Sequence, residues 1–357
     1  MPIKTSQNIA IAGAGLAGLL LSWRLLKEGH RVTLFEKNSV SQPRSAAHTA
    51  AAMISPMTEV VVSERIIYDL GVQSLLLWPD WIKDLNEGRK TAIDYQSKGS
   101  IVVAHAADNN ELQQFYQDLN FHLGAENTAQ WLDRSQIQTL EPGLSTQFDN
   151  GLLLPGEAYL DNRGLLTALI EEVRQLGGVI HEQSPLEFSP DPILNGEPLV
   201  GFDVVSDCRG VGAQDSNKTL NQPIRGVRGE VIWVQTDEIR LDRPVRLMHP
   251  RYKLYVVPKP NNCFIIGATE IESQDCSPVS VQSSLELCSA LYTLNPAFAE
   301  ARIVETDVNL RPSYLNNLPA VDWETSGSVP VLRINGLYRH GYLLAPALVE
   351  QALSFLK

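Results

Sequence analysis

The sequence lacks most of the features that would settle its class at once. Its 357 residues hold four cysteines, Cys208, Cys263, Cys276 and Cys288, none of them in a CxxC or CxxxxC spacing. A structural zinc site and a redox-active dithiol therefore have no support, and the thiols read as small buried side chains in a reducing compartment. No stretch supplies the roughly 18 uninterrupted apolar residues of a membrane-crossing helix, so no membrane insertion is expected. G-x-S-x-G, P-loop and HExxH signatures are missing, which leaves hydrolase and kinase chemistry without a foothold. His249 and His340 have no neighbour at metal-ligand spacing, so no metal site is expected. Positive charge is also short. The net charge is −12, and a uniformly acidic protein repels phosphate backbones, so nucleic acid is not an expected partner. Internal repeats, low-complexity segments and charged tails are absent.

What is present begins with length. A chain of 357 residues exceeds the usual single domain, and a 44% hydrophobic composition supplies a core for two. The apolar run from Ile9 to Leu21 could pass for an export signal. It is glycine-rich, however, is followed by Arg24 and Lys27, and leads into a second strand, so a nucleotide-binding unit and a cytoplasmic protein are expected. Residues 8–12 (NIAIA) form a strand, residues 16–28 show helical apolar spacing that stops at Gly29, and residues 31–36 (RVTLFE) form another strand.

Between the first strand and the helix lies Gly13-Ala14-Gly15-Leu16-Ala17-Gly18. Gly13 permits the tight turn, Gly15 lets backbone N–H groups approach a pyrophosphate, and Gly18 lets the helix pack on the sheet. Glu36 follows 18 residues after Gly18 at a strand end, where a carboxylate can accept ribose hydroxyls. This βαβ unit binds a dinucleotide, without deciding between FAD and NAD. Further helices are expected over 63–86, 165–177 and 283–294, and β-rich chain over 226–272. A short amphipathic helix is expected to open at Pro346.

Four longer stretches carry a resemblance. Residues 46–56 (AAHTAAAMISP), 253–269 (KLYVVPKPNNCFIIGAT) and the pair 309–319 (NLRPSYLNNLP) and 336–347 (GLYRHGYLLAPA) are similar to elements of the D-amino-acid oxidase and glycine oxidase family of flavoproteins. The resemblance implies non-covalent FAD and an α/β fold, in which a Rossmann-like FAD-binding domain is interleaved with a smaller antiparallel-sheet, α+β substrate domain. The expected division is 1–85, 150–225 and 305–357 for the first, and 86–149 and 226–304 for the second. It implies that Ala50, Ala51, Ala52 and Met53 form a small-residue wall along the flavin ring. Further cofactor contacts are implied at Lys37, Arg44, Thr49, Leu186, Gly210, Arg339, His340, Gly341, Tyr342, Leu343 and Leu344.

The same alignment of motifs implies that Arg311 grips a substrate carboxylate through its planar fork. Tyr255 adds a hydroxyl, and Arg339 stands near the entrance and the flavin. The sequence departs from the family at Ala52, where glycine is common, at His48, at Lys253, at residues 314–316 and at residues 205–213. The resemblance implies oxidation of a small amine or amino acid, with dioxygen as acceptor and hydrogen peroxide, ammonia and an oxo acid as products. Three other readings stay open. They are action on an amine carried by a partner protein, electron delivery to a quinone or carrier, and an NAD module without flavin.

Overall fold

The computed structural model describes residues 6–189, 191–214, 223–249 and 254–356. Two large sheets organise the chain. The first has six strands in the order Ala320–Glu324, Val331–Asn335, Val204–Asp207, Asn8–Ala12, Arg31–Phe35 and Val179–His181. All neighbours are parallel except the edge pair Ala320–Glu324 and Val331–Asn335. Strands drawn from both ends of the sequence and its middle meet here, which is the α/β arrangement expected of the glycine-turn unit. Ile9, Ala10, Ile11 and Ala12 are fully buried, as an inner parallel strand covered on both faces requires.

The second sheet has eight strands, Arg302–Tyr314, Ile224–Gln235, Cys263–Gly267, Leu254–Lys259, Val245–Met248, Ser100–Ala104, Asn150–Leu154 and Gln130–Asp133. It is antiparallel apart from the pairing of Val245–Met248 with Ser100–Ala104. Residues 150–154 and 302–314 hydrogen-bond into this sheet, whereas sequence alone put 150 onward, and 305 onward, with the nucleotide unit. We propose domain boundaries that follow the sheets. Lys253 lies outside the described residues. The cysteines are all free, but only Cys208 is buried. Cys276 is exposed, and Cys263 and Cys288 are partly covered, because they fall in a loop, at a strand start and on a half-exposed helix.

The terminal helix differs most from expectation. It runs Gly341–Ser354 with Pro346 inside it, and residues 342–349 are buried without interruption. Its first half is therefore covered on every face, and only its second half is amphipathic, with Val349, Ala352 and Leu353 buried and Gln351 and Ser354 exposed. A stretch buried on all sides is packed against neighbours all round, and this helix lies against the helices Arg65–Asn86 and Leu16–Lys27. An interior proline lacks the N–H that would reach the carbonyl four residues back, here Tyr342. Trp78 Nε1 supplies the missing donor to that carbonyl at 2.9 Å, and Ser74 Oγ accepts from Ala347 N at 3.2 Å. Two side chains of one helix thus repair the proline defect in another. Trp78→Phe is expected to lower unfolding free energy by about 1–3 kcal/mol, the cost of leaving a buried carbonyl unpaired. In a Pro346→Ala background, where residue 346 regains its own N–H, the same change is expected to cost clearly less. A denaturant double-mutant cycle that returned equal losses in both backgrounds would contradict this repair.

Candidate active site

The glycine turn faces one end of a long cavity of about 1280 Å³. Gly13 has φ +98°, and a Cβ there would lie 2.8 Å from the Cys208 carbonyl oxygen, so no other residue fits. A Cβ on Gly18 would lie 2.0 Å from Gly13 O, which locks the helix against the turn. Gly15 is the opposite case. The atom nearest to its Cβ position is Ser45 Cβ at 3.9 Å, leaving the backbone open to the cavity. The amides of Gly15, Leu16 and Ala17 find no acceptor among the described residues, and the buried Ser45 Oγ has no partner. Glu36 accepts from Ala14 N at 2.8 Å and Asn38 N at 2.9 Å, which fixes its carboxylate at the rim of the turn. Lys37, Arg44, Arg209 and Gly210 line the same end.

The middle of the cavity is flanked by Ala50, Ala51, Ala52 and Met53. Ala52 has φ +54°, a left-handed conformation that costs a residue with a Cβ about 1 kcal/mol and explains why glycine suits this place. The conformation is held from behind. Leu160 N donates to Ala52 O at 3.2 Å, and the buried Lys259 Nζ donates to Ala51 O at 2.8 Å and Leu160 O at 2.7 Å. Burial lowers the Lys259 pKa to about 7. Thr49 turns its hydroxyl to Asp307 Oδ2 at 2.7 Å, tying this wall to the long edge strand of the eight-stranded sheet. The terminal helix begins at the cavity, so the free amides and positive dipole end belong to Gly341 rather than to Pro346. Tyr342 packs beside it and donates to Ala47 O at 2.9 Å.

The far end is built on the eight-stranded sheet. Arg311 lies across Gly229, where a Cβ would come within 2.5 Å of its Cζ, and donates to Arg228 O at 3.2 Å and Thr269 O at 3.0 Å. No carboxylate among the described residues pairs with it. Tyr255 lies over Gly267, with its hydroxyl 3.0 Å from where a Cβ would be. Burial pushes the Tyr255 hydroxyl pKa up, against the pull of Arg311, Arg246 and Arg339. Arg339 is fully committed, to Glu59 at 2.7 and 2.9 Å and to Glu270 at 2.9 Å. Burial opposes ionisation of Glu59, but Arg339, His340 and Arg246 outweigh it and hold the carboxyl at about 2. His340 is buried and drops to about 4, so it stays neutral at pH 7.

A cavity with a phosphate cradle at one end and an unpaired guanidinium at the other suits a flavin dinucleotide and an anionic substrate. The comparisons with known proteins agree. The family model for FAD dependent oxidoreductases, DAO, matches residues 8–351. The chain belongs to this FAD-dependent oxidoreductase family. It is 38% identical over 350 residues to a Rhizobium etli protein bearing the name thiamine biosynthesis oxidoreductase ThiO, covering 96% of this chain and 94% of that one. It is 26% identical over 351 residues to the glycine oxidase of Geobacillus kaustophilus, with 95% and 90% covered. Among solved structures, glycine oxidase from Bacillus cereus superposes with a TM-score of 0.84 at 22% identity, covering 98% of this chain and 95% of that one. As a member of this family, the protein is an enzyme that acts on C–N bonds with FAD as its cofactor.

The residues present fit FAD. The open approach at Gly15, the unused amides of the turn and the orphaned Ser45 hydroxyl suit the pyrophosphate, and the alanine wall suits a flat ring. Most of the residues singled out from the sequence of this FAD-dependent oxidoreductase line the cavity together, from Gly13 to Ala17 and from Glu36 to Leu343. Three do not. Leu186 packs behind the first sheet with Ala10, Ala12 and Phe35, its carbonyl taken by Arg209 Nη1 at 3.1 Å. Leu344 points into the core because a helix turns successive side chains by 100°. Gly18 lies under the turn, as its packing role implies. Sequence reading missed Ser45, Glu59, Arg246, Lys259, Glu270 and Tyr338. A valine at position 15, where φ is an ordinary −77°, would project into the cradle. Gly15→Val is expected to weaken FAD binding about tenfold or more with the fold retained, as read by flavin fluorescence on ultrafiltration. An unchanged affinity would place the pyrophosphate elsewhere.

Proposed function

We propose that this enzyme oxidises the C–N bond of a small amino acid of the glycine type, with dioxygen as electron acceptor. The observation that carries the proposal is the Arg311 guanidinium, oriented by two backbone carbonyls, near the Tyr255 hydroxyl and without a carboxylate partner among the described residues. A fork of N–H donors in a partly dry cavity favours a carboxylate with two parallel bonds. Its rigid seat over Gly229 fixes where the substrate α-carbon stands relative to the alanine wall. FAD held against that wall would supply the two-electron oxidation of that carbon. The amine leaves as an imine, dioxygen is reduced to hydrogen peroxide, and water converts the imine to an oxo acid and ammonia. The name of the Rhizobium relative supports a biosynthetic use of the imine before hydrolysis.

No side chain is needed as a base when the substrate amine arrives neutral. Glu59 stays ionised with its pKa near 2, His340 stays neutral with its pKa near 4, and Tyr338, raised by burial and by its bond to Glu270, stays protonated with its pKa near 12. None of these three changes state between about pH 5 and pH 9. Lys259, lowered by burial to about 7, titrates inside that window but lies behind the alanine wall, so the substrate amine sets the main slope of kcat/KM, about tenfold per unit below the amine pKa. The test is a peroxide and oxygen-uptake screen of the FAD-loaded protein with glycine, sarcosine, D-alanine and D-proline, with methylamine as the amine lacking a carboxylate. Peroxide from the amino acids with none from methylamine is the expected result. Turnover only with an artificial acceptor would overturn dioxygen, and turnover of methylamine as fast as glycine would overturn the carboxylate requirement.

A further inference from the structure

The cavity holds a second guanidinium for which the glycine-type reading has no use. Arg246 stands directly opposite Tyr255 in the antiparallel pairing of Val245–Met248 with Leu254–Lys259, so both side chains rise from the same face of the sheet into the cavity. Its Cζ lies 6.0 Å from the Tyr255 ring centroid. The side chain is 14% exposed, and its Nε is buried without a hydrogen-bond partner. Its ion-pair partner among the described residues, Glu59 Oε1, is 3.8 Å from Nη2, too far for a hydrogen bond, while Glu59 Oε2 already accepts twice from Arg339. The other neighbour is Met53 Sδ at 4.0 Å, a weak acceptor.

Charge points the same way. Around Tyr255 the guanidinium groups of Arg246, Arg311 and Arg339 face the carboxylates of Glu59 and Glu270, with His340 neutral. Among these five groups the guanidiniums outnumber the carboxylates by one, while Glu111, Asp118 and Glu286 also line the cavity. A glycine zwitterion has no net charge and leaves that excess in place. An amino acid with a second carboxylate carries one net negative charge at neutral pH and removes it.

We propose that Arg246 is a second anion-binding residue of the substrate cavity, taking the distal carboxylate of an amino dicarboxylate such as iminodiacetate or D-aspartate. The inference rests on the reading that Arg311 takes the carboxylate next to the reacting C–N bond. The two arginines then hold the ends of one substrate on either side of Tyr255, and Arg246 sets specificity.

The test measures kcat/KM by oxygen uptake for iminodiacetate, D-aspartate, glycine and sarcosine, using FAD-loaded wild type, Arg246→Met and Arg246→Lys. Flavin content read from the visible spectrum confirms the fold of each variant, and the lysine variant carries the test where the methionine variant does not fold. Wild type is expected to use at least one dicarboxylate with kcat/KM above that for glycine. The dicarboxylate-to-glycine ratio is expected to fall about tenfold or more in Arg246→Met, through KM, and by less in Arg246→Lys. Wild type that oxidises glycine or sarcosine but neither dicarboxylate overturns the inference and leaves the proposed function standing. A ratio unchanged by both substitutions overturns it as well. Failure to oxidise any of these four, together with D-alanine and D-proline, overturns the proposed function itself.

Discussion

The functional reading depends on one placement: a guanidinium laid flat across a glycine on a sheet, with no carboxylate paired to it among the described residues. Arg311 sits over Gly229 and spends two of its N–H groups on the carbonyls of Arg228 and Thr269. Those bonds orient the fork without neutralising it. The long strand Arg302–Tyr314 makes this possible, because its pairing with Ile224–Gln235 brings Asn309 opposite Gly229, two residues from Arg311. Gly267 performs the same service for Tyr255. Two missing side chains in a sheet floor thus make room for two functional ones. An arginine held this way is preorganised, so a bound carboxylate does not have to pull it out of an existing ion pair.

The other constraint is the cofactor slot, and the same fold provides it from three directions. Open amides follow the first strand, an alanine wall comes from residues 50–53, and the terminal helix brings its N-terminal end. Each is stiffened by contacts made elsewhere. Lys259, on the sheet that carries Tyr255, hydrogen-bonds the wall through Ala51 O, so ring and substrate surfaces share one support. Trp78 and Ser74 hold the terminal helix where Pro346 interrupts it. Glu59 and Glu270 both hold Arg339, leaving Arg311 and Arg246 as the guanidiniums of the cavity without a carboxylate hydrogen bond among the described residues.

The nucleotide end was legible in the sequence because its requirements are local. A tight turn, a close helix–strand contact and a carboxylate at the next strand end fall within 24 residues, from Gly13 to Glu36, and each demands a residue type at a fixed spacing. Arg311 and Tyr255 were found through motif resemblance, not through periodicity. Arg246 and Glu59 were not legible. They meet only because a four-residue strand pairs with Leu254–Lys259, and because the helix Pro56–Val60 is brought over that sheet. Lys259 carried no signal of its own in the sequence, and its ammonium lies buried behind the alanine wall. Pro346 misled for a physical reason. Prolines favour the first helical turn, and only a tryptophan 268 residues earlier in the chain lets this one sit inside the helix.

The central claim is that Arg311 binds a carboxylate, independent of any chemistry that follows. It is tested most directly by titrating the FAD-loaded protein with glycolate, which offers a carboxylate and no amine, and following the visible flavin spectrum. The account predicts saturable perturbation in wild type and an affinity reduced about a hundredfold in Arg311→Met at unchanged flavin content. Equal glycolate affinity in the two proteins would contradict it.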